Sequence, residues 1–463
     1  MIRGYPARAS VLAGEDVVLH ISTDALRFRV CIYRWWDGPE RVQQSDWIAG
    51  ADASEHGAAD DWHWPAYVFP VPHAWRSAVY IAHLEVEGGA AFDLALASAA
   101  VLFVVRGQGR RGILYKLPLA TYHAYNYAGQ GCFYHNPPRS REPPGARVSL
   151  QRPGGGIGGP TWGAVDYYDG NSPRQTFAHW DAPFIRWLVR EGYEPEFCTD
   201  LDIHADASLC GPYRLLMSAG HDEYWSEPTR NHVERYIAGG GNVAFFAANL
   251  CWWRVHLVDN CAAMVCHQGG PQGALDHWWT PAGAHRPEDS LSGVSYRHGG
   301  GWWDGPRAVG GYIVQQARHW IFANTGLGNG DVFGGGTTPP LVGYECDGAP
   351  LQCSARFMGA VDLAPNAHEC GTPPGFTVLA ACLLDREWQE LPYRERWAAG
   401  EGIHAATMGI HSAGGAHDRT GIDGKNGIVF TAGTTDWSQV LVSGQDRAVE
   451  KITRNVLDRL GER

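Results

Sequence analysis

Over the first hundred or so residues, short apolar stretches are broken by clusters of Gly, Asp and Pro. Asp16 to Ile21, Phe28 to Trp35, Ala78 to Val86 and Val101 to Val105 are such stretches, and no helical period runs through them. β-Rich runs separated by turn residues predict an antiparallel β-sandwich of roughly immunoglobulin size, about 100 residues. Beyond Arg106-Gly107-Gln108-Gly109 the pattern changes. Ile113 to Leu119 reads as a strand feeding a long aromatic loop, and Ala182 to Glu191 has apolar residues at helical spacing with Gly192 as its stop. Glu196 to Thr199, Tyr213 to Ser218 and Val243 to Ala247 read as strands. Pro228 to Ile237 reads as a helix followed by glycines 239 to 241. Strands alternating with helices predict a mostly parallel sheet covered on both faces, in a flavodoxin-like arrangement. Trp320 to Ala323, Leu341 to Tyr344 and Ile428 to Thr431 look like further strands, and Asp446 to Leu460 is an amphipathic helix. The expected organisation is a sandwich over residues 1–106 and an α/β domain over 107–463.

At 463 residues the chain exceeds one small core, which supports two domains. The formal charge of −12 argues against nucleic acid or an anionic membrane surface as partner. A charged fraction of only 19%, with 59 Gly and 20 Trp, suits a loop-rich globular protein with aromatic-lined surfaces. The first residues show no secretory pattern, and no run of about 18 apolar residues is present, so a cytoplasmic protein is expected. Eleven cysteines without a Cys-x-x-Cys pair read as reduced thiols. Cys261, Cys266 and His267 sit close in sequence, but their spacing matches no structural zinc motif.

The most informative segment is Gly220-His221-Asp222-Glu223-Tyr224-Trp225, directly after an apolar run. In open α/β sheets, reactive groups collect beyond the carboxyl ends of the strands. Three predicted strands end this way. One leads to Thr121-Tyr122-His123-Ala124-Tyr125-Asn126 and then Gly131-Cys132-Phe133-Tyr134, one to His221 and Glu223, and one to Asn249, Trp252 and Trp253. On one edge of a parallel sheet, phenols, a carboxylate, an imidazole and an amide would converge. Nucleophilic catalysis finds no support, because no Gly-x-Ser-x-Gly or Gly-x-Cys-x-Gly elbow occurs. The glycines at 154–156, 158 and 159 lack the Lys-Ser/Thr ending of a phosphate cradle. Asp200 and Asp202 read as loop-holding residues, and the Trp pairs as packing.

These motifs together resemble the large (β) subunit of N,N-dimethylformamidase and its shorter relatives. The resemblance runs through Ala124-Tyr125-Asn126, Trp187-Leu188, Gly192-Tyr193, Asp200 to His204, Gly220 to Trp225 and Asn249 to Trp252. It continues through His319 to Ala323, Gly343-Tyr344-Glu345 and Gly433 to Trp437. It implies an immunoglobulin-like sandwich followed by a flavodoxin-like, class I glutamine amidotransferase-like domain. It also implies a mononuclear iron (Fe3+) centre held by two tyrosines and a glutamate, matched by Tyr125, Tyr134 and Glu223. Tyr122 and Tyr168 stay open as alternatives for either tyrosine, since the segment between the chosen pair is short and Cys132 stands where a serine is usual. The hydrolytic pocket is matched by His221, Asn249 and Glu345. Phenolate and carboxylate are hard anionic donors that favour such a cation. The implied activity is hydrolysis of the C–N bond of a small linear amide. Homo-oligomers and a small-subunit partner both remain open. The rival reading is a non-catalytic protein that binds carbohydrate or a partner surface through its sandwich and tryptophans.

Overall fold

The computed structural model describes residues 1–94, 99–134, 147–163, 165–170, 172, 174–268, 275–281, 283–303, 305–307, 310–385, 388, 403–412 and 426–461. The protein is mixed α/β, with more sheet than helix. It divides into two compact units. The first comprises Met1–Leu209, Tyr224–Thr229 and Trp253–His277, and the second Cys210–Glu223, Arg230–Trp252 and Trp278–Arg463. The 106/107 boundary read from the sequence falls inside the first unit.

In the first unit, an antiparallel sheet of Ile2–Pro6, Asp16–Thr23 and Ala66–Pro70 faces a larger one. The larger sheet places Ser10–Val11, Ala100–Val105, Ala78–Val86, Arg27–Trp35 and Pro39–Gln44 side by side. Asp16–Thr23 shows the cause, since Val17, Leu19 and Ile21 are buried at period two. The two layers come close at Gly4. A Cβ there would lie 3.1 Å from both Leu84 and Val101 and 2.8 Å from the His20 carbonyl oxygen.

The same unit carries the parallel pair Ile113–Leu117 and Glu196–Thr199. After it comes not the expected aromatic loop but a helix, Leu119–Tyr125, buried along its whole length. Its sequence has no polar face because none is exposed. The glycine-rich stretch packs directly on it. A Cβ on Gly155 (φ 72°) would lie 2.5 Å from the His123 ring, and one on Gly156 (φ 96°) 2.6 Å from the Tyr122 ring. The buried Arg152 donates to the carbonyls of His123 (3.4 Å), Asn126 (3.0 Å), Ala128 and Gly131 (3.5 Å). These include acceptors that a helix C-terminus leaves orphaned. The glycines thus give clearance to a helix rather than room to a phosphate. Thr199 and Asp202 form a capping box on Asp200–Ala205, and Asp200 accepts from the Ala120 amide at 2.8 Å, so both aspartates hold helix ends.

The second unit is built on a sheet in the order Leu215–His221, Asn242–Ala248, Ile428–Thr431, Ala405–Ser412, Thr377–Leu383, Tyr312–Val314 and Val332–Phe333. The first three strands are parallel, as expected, and the rest are antiparallel, which corrects the mostly parallel reading. The omission has a simple cause: Thr377–Leu383 and Ala405–Ser412 are apolar runs whose period does not tell strand from buried helix. The amphipathic helix Arg447–Gly461 buries Val449, Ile452, Val456, Leu457 and Leu460. Two expected strands are absent. Trp320–Phe322 is a 3₁₀ turn capped by His319, and Leu341 to Tyr344 is irregular, the strand starting only at Glu345.

Candidate active site

In the second unit, the strand Leu215–His221 ends on His221 itself, three residues later than the sequence suggested. Gly220, at φ 74°, departs from extended geometry just before it. In the parallel register His221 pairs with Ala248, so Asn249 leaves the neighbouring strand at the same level. Asn249 turns sharply at φ 48°, a conformation Asn tolerates better than most residues. Its backbone amide and that of Leu250 donate to the two oxygens of Asp347, at 2.9 and 3.1 Å. Asp347 and Glu345 lie two apart on the strand Glu345–Gly348 and therefore share a face.

One carboxylate oxygen is the focus. Glu345 Oε2 accepts from Asn249 Nδ2 at 3.1 Å and lies 2.6 Å from His221 Nε2. Glu223 Oε2 approaches the same nitrogen at 3.4 Å. All four residues are buried. Burial opposes charge on His221, but the carboxylates of Glu345, Glu223 and Asp347 outweigh it and push the imidazole up from its ordinary value. Burial pushes Asp347 up to about 8, with Glu288 and Glu345 adding to it against the pull of the two backbone amides. Asn249 Oδ1 is buried with no hydrogen-bond partner among the described residues. Asp222, between the two functional candidates in sequence, is occupied by Ser218 Oγ at 2.8 Å. The structure therefore brings His221, Glu223, Asn249 and Glu345 together and adds Asp347.

The first unit assembles phenols. Tyr125 closes the helix Leu119–Tyr125, and its hydroxyl donates to Tyr134 Oη at 2.9 Å, with the rings stacked 4.6 Å apart. The Tyr224 hydroxyl lies 2.7 Å from Tyr134 Oη. Tyr224 belongs to the strand Tyr224–Ser226, parallel to Trp253–Val258. Gln268 completes the row. With its amide oxygen facing Tyr224 Oη at 2.7 Å, that oxygen also accepts from Trp253 Nε1 at 3.3 Å, and its amide nitrogen donates to the Phe133 carbonyl at 2.9 Å. Of the two alternative tyrosines, Tyr122 is tied to Asp181, as is Tyr115 at 2.8 Å. Tyr168 packs edge-on against Tyr167. Tyr224 lies in the phenol row, and the signal for it was present in its place directly after Glu223.

A carboxylate, an imidazole and a carboxamide sharing one oxygen form an acid–base group suited to hydrolysis of a polar bond, and clustered phenols are donors for a hard cation. The chain belongs to the family described as N,N-dimethylformamidase beta subunit-like, C-terminal, which matches residues 29–449. It is similar to the N,N-dimethylformamidase beta subunit of Alcaligenes sp, 28% identical over 236 residues, covering 45% of this chain and 28% of that protein. It is also similar to the beta subunit of Paracoccus aminophilus, 24% identical over 313 residues, covering 61% of this chain and 37% of that protein. The chain thus aligns with well under half the length of each.

No disulfide joins the cysteines at 261 and 266 or the other nine among the described residues. No helix among the described residues is long and apolar enough to cross a membrane.

Proposed function

We propose that this protein hydrolyses the C–N bond of a small linear amide of the formamide type, with mononuclear iron as cofactor. The observation that carries the reading is the buried meeting of His221 and Asn249 on one oxygen of Glu345. Membership of the dimethylformamidase-like family supports the same bond type. Glu345 takes the proton of the attacking water and returns it to the leaving amine. His221, pushed toward its cationic form, and Asn249 Nδ2 donate to the oxygen that becomes negative in the tetrahedral transition state. The unpartnered Asn249 Oδ1 is left to accept from an amide N–H or a water.

Tyr125, Tyr134 and Glu223 are the proposed iron holders. The phenols fit this role, since Tyr125 and Tyr134 already bring their oxygens within 2.9 Å of each other. Tyr224, the residue after Glu223, adds a third phenol oxygen beside Tyr134. When bound, the ion supplies Lewis-acid polarisation of a carbonyl and a lowered pKa for water. The proposal extends to an immunoglobulin-like amino-terminal sandwich and a glutamine amidotransferase-like α/β part. Because the relatives are named beta subunits, it also includes assembly, either with a second kind of chain or with further copies of this one.

The test is amine release from a panel of formamides and other small amides by the iron-loaded chain. Turnover of at least one amide is expected, and Glu223→Ala should lose iron and turnover while keeping its fold. A folded chain that releases no amine from any of them but binds glycans would favour the carbohydrate-binding alternative.

A further inference from the structure

A second cluster with ligand chemistry lies in the first unit, sharing no residue with the groups above. The strand Trp253–Val258 runs antiparallel to Ala263–Val265, with His256 opposite Val265. His267 follows two residues later, so the two histidines are diagonal neighbours. Between them sits Asp276, 1% exposed. Its Oδ1 accepts from Arg254 Nε at 3.1 Å and Nη2 at 3.0 Å, and lies 3.0 Å from His256 Nε2. Its Oδ2 accepts from the His267 amide at 2.8 Å and lies 2.7 Å from His267 Nδ1. The imidazoles are about half exposed, at 44% and 48%, whereas the carboxylate is closed off.

We propose that His256, His267 and Asp276 bind one divalent transition-metal ion of the zinc class. One ligand atom from each residue already lies within 4.8 Å of the other two. Two imidazoles and a carboxylate suit a borderline cation, and three protein ligands leave a position for water on the exposed side. Arg254 anchors Oδ1, so Oδ2 is the oxygen available to the ion, and the guanidinium orients the carboxylate from the outer shell. Its positive charge also weakens binding relative to a site without it. The ion's consequence is local order. Gln268, which closes the row of phenols at Tyr224, directly follows His267, so fixing His267 fixes the segment that presents Gln268.

The test is zinc titration of the full chain after chelator treatment. One equivalent is expected whose uptake is abolished by His256→Ala and by His267→Ala and kept by Glu223→Gln, a change at a residue outside this cluster. Copper(II) added to the unaltered chain should give a paramagnetic resonance spectrum with coupling to two imidazole nitrogens, a readout that needs no variant. A chain that takes up no zinc, or takes up the same amount without either histidine, overturns the site. Zinc lost in Glu223→Gln and kept in the histidine variants would assign the ion to the iron centre and also overturn it.

Discussion

The two chemical groups of this protein are held in different ways. His221, Asn249 and Glu345 stand at the ends or starts of regular strands, and parallel register sets two of them at one level. The phenols come from a short helix, an irregular segment and a three-residue strand, and Tyr134 remains 39% exposed. The first group is fixed by sheet geometry and burial. The second depends on packing between a glycine-rich stretch and a helix with no solvent face. The His221–Asn249–Glu345 group is thus the more enclosed of the two, and the phenol row the more open.

Four substitutions or titrations sharpen this contrast. Glu345→Gln should cost the most, lowering amide hydrolysis by about 10²–10⁴-fold with little loss of fold, as measured by steady-state amine release. A retained rate would move the proton-transfer role away from the enclosed group. Gly155→Ala should act on the more open group, because the new methyl meets the His123 ring at a backbone φ of 72°. About 1–3 kcal/mol of stability should be lost in urea unfolding, with a parallel fall in bound iron. If stability is unchanged, the glycine clearance does not hold the phenol helix. Asn249→Ala removes the bond to Glu345 and a residue suited to its left-handed backbone, and should cost about 1–2 kcal/mol by the same assay.

The smallest effect per residue is a pH dependence shared by both units. Burial holds His123 down to about 3, and His179, His404 and His411 to about 4. Such histidines are neutral when folded and charge more readily when unfolded. Their contribution is fully present above the ordinary imidazole value of about 6.5 and is lost as pH falls toward about 4. His411→Gln should flatten the stability slope in that window by less than one proton, measured by urea unfolding at stepped pH.

Much of the acid–base group was legible in the sequence. The apolar run before Gly220 and the one before Asn249 announce their strands, and the polar residues after them mark the site. The expected strand stopped three residues short, since pattern alone does not show that Gly220 and His221 stay in the sheet. Asp347 was missed because an Asp two residues beyond a Glu carries no signal until the strand Glu345–Gly348 puts both on one face. The helix Leu119–Tyr125 was read as a loop because helical periodicity needs an exposed face, and here every residue is enclosed. The antiparallel half of the sheet was hidden for the reason given above, continuous apolar runs without a period. Tyr224 follows Glu223 directly, but its partner Tyr134 is 90 residues away in sequence, so their contact does not show in the motif.

The most direct test of the central claim is the visible spectrum and iron content of the purified chain beside its Tyr134→Phe form. A stoichiometric iron, coloured by tyrosinate-to-metal charge transfer that shifts or fades on loss of the Tyr134 hydroxyl, is expected. A colourless, iron-free chain that still releases amine from an amide would contradict it.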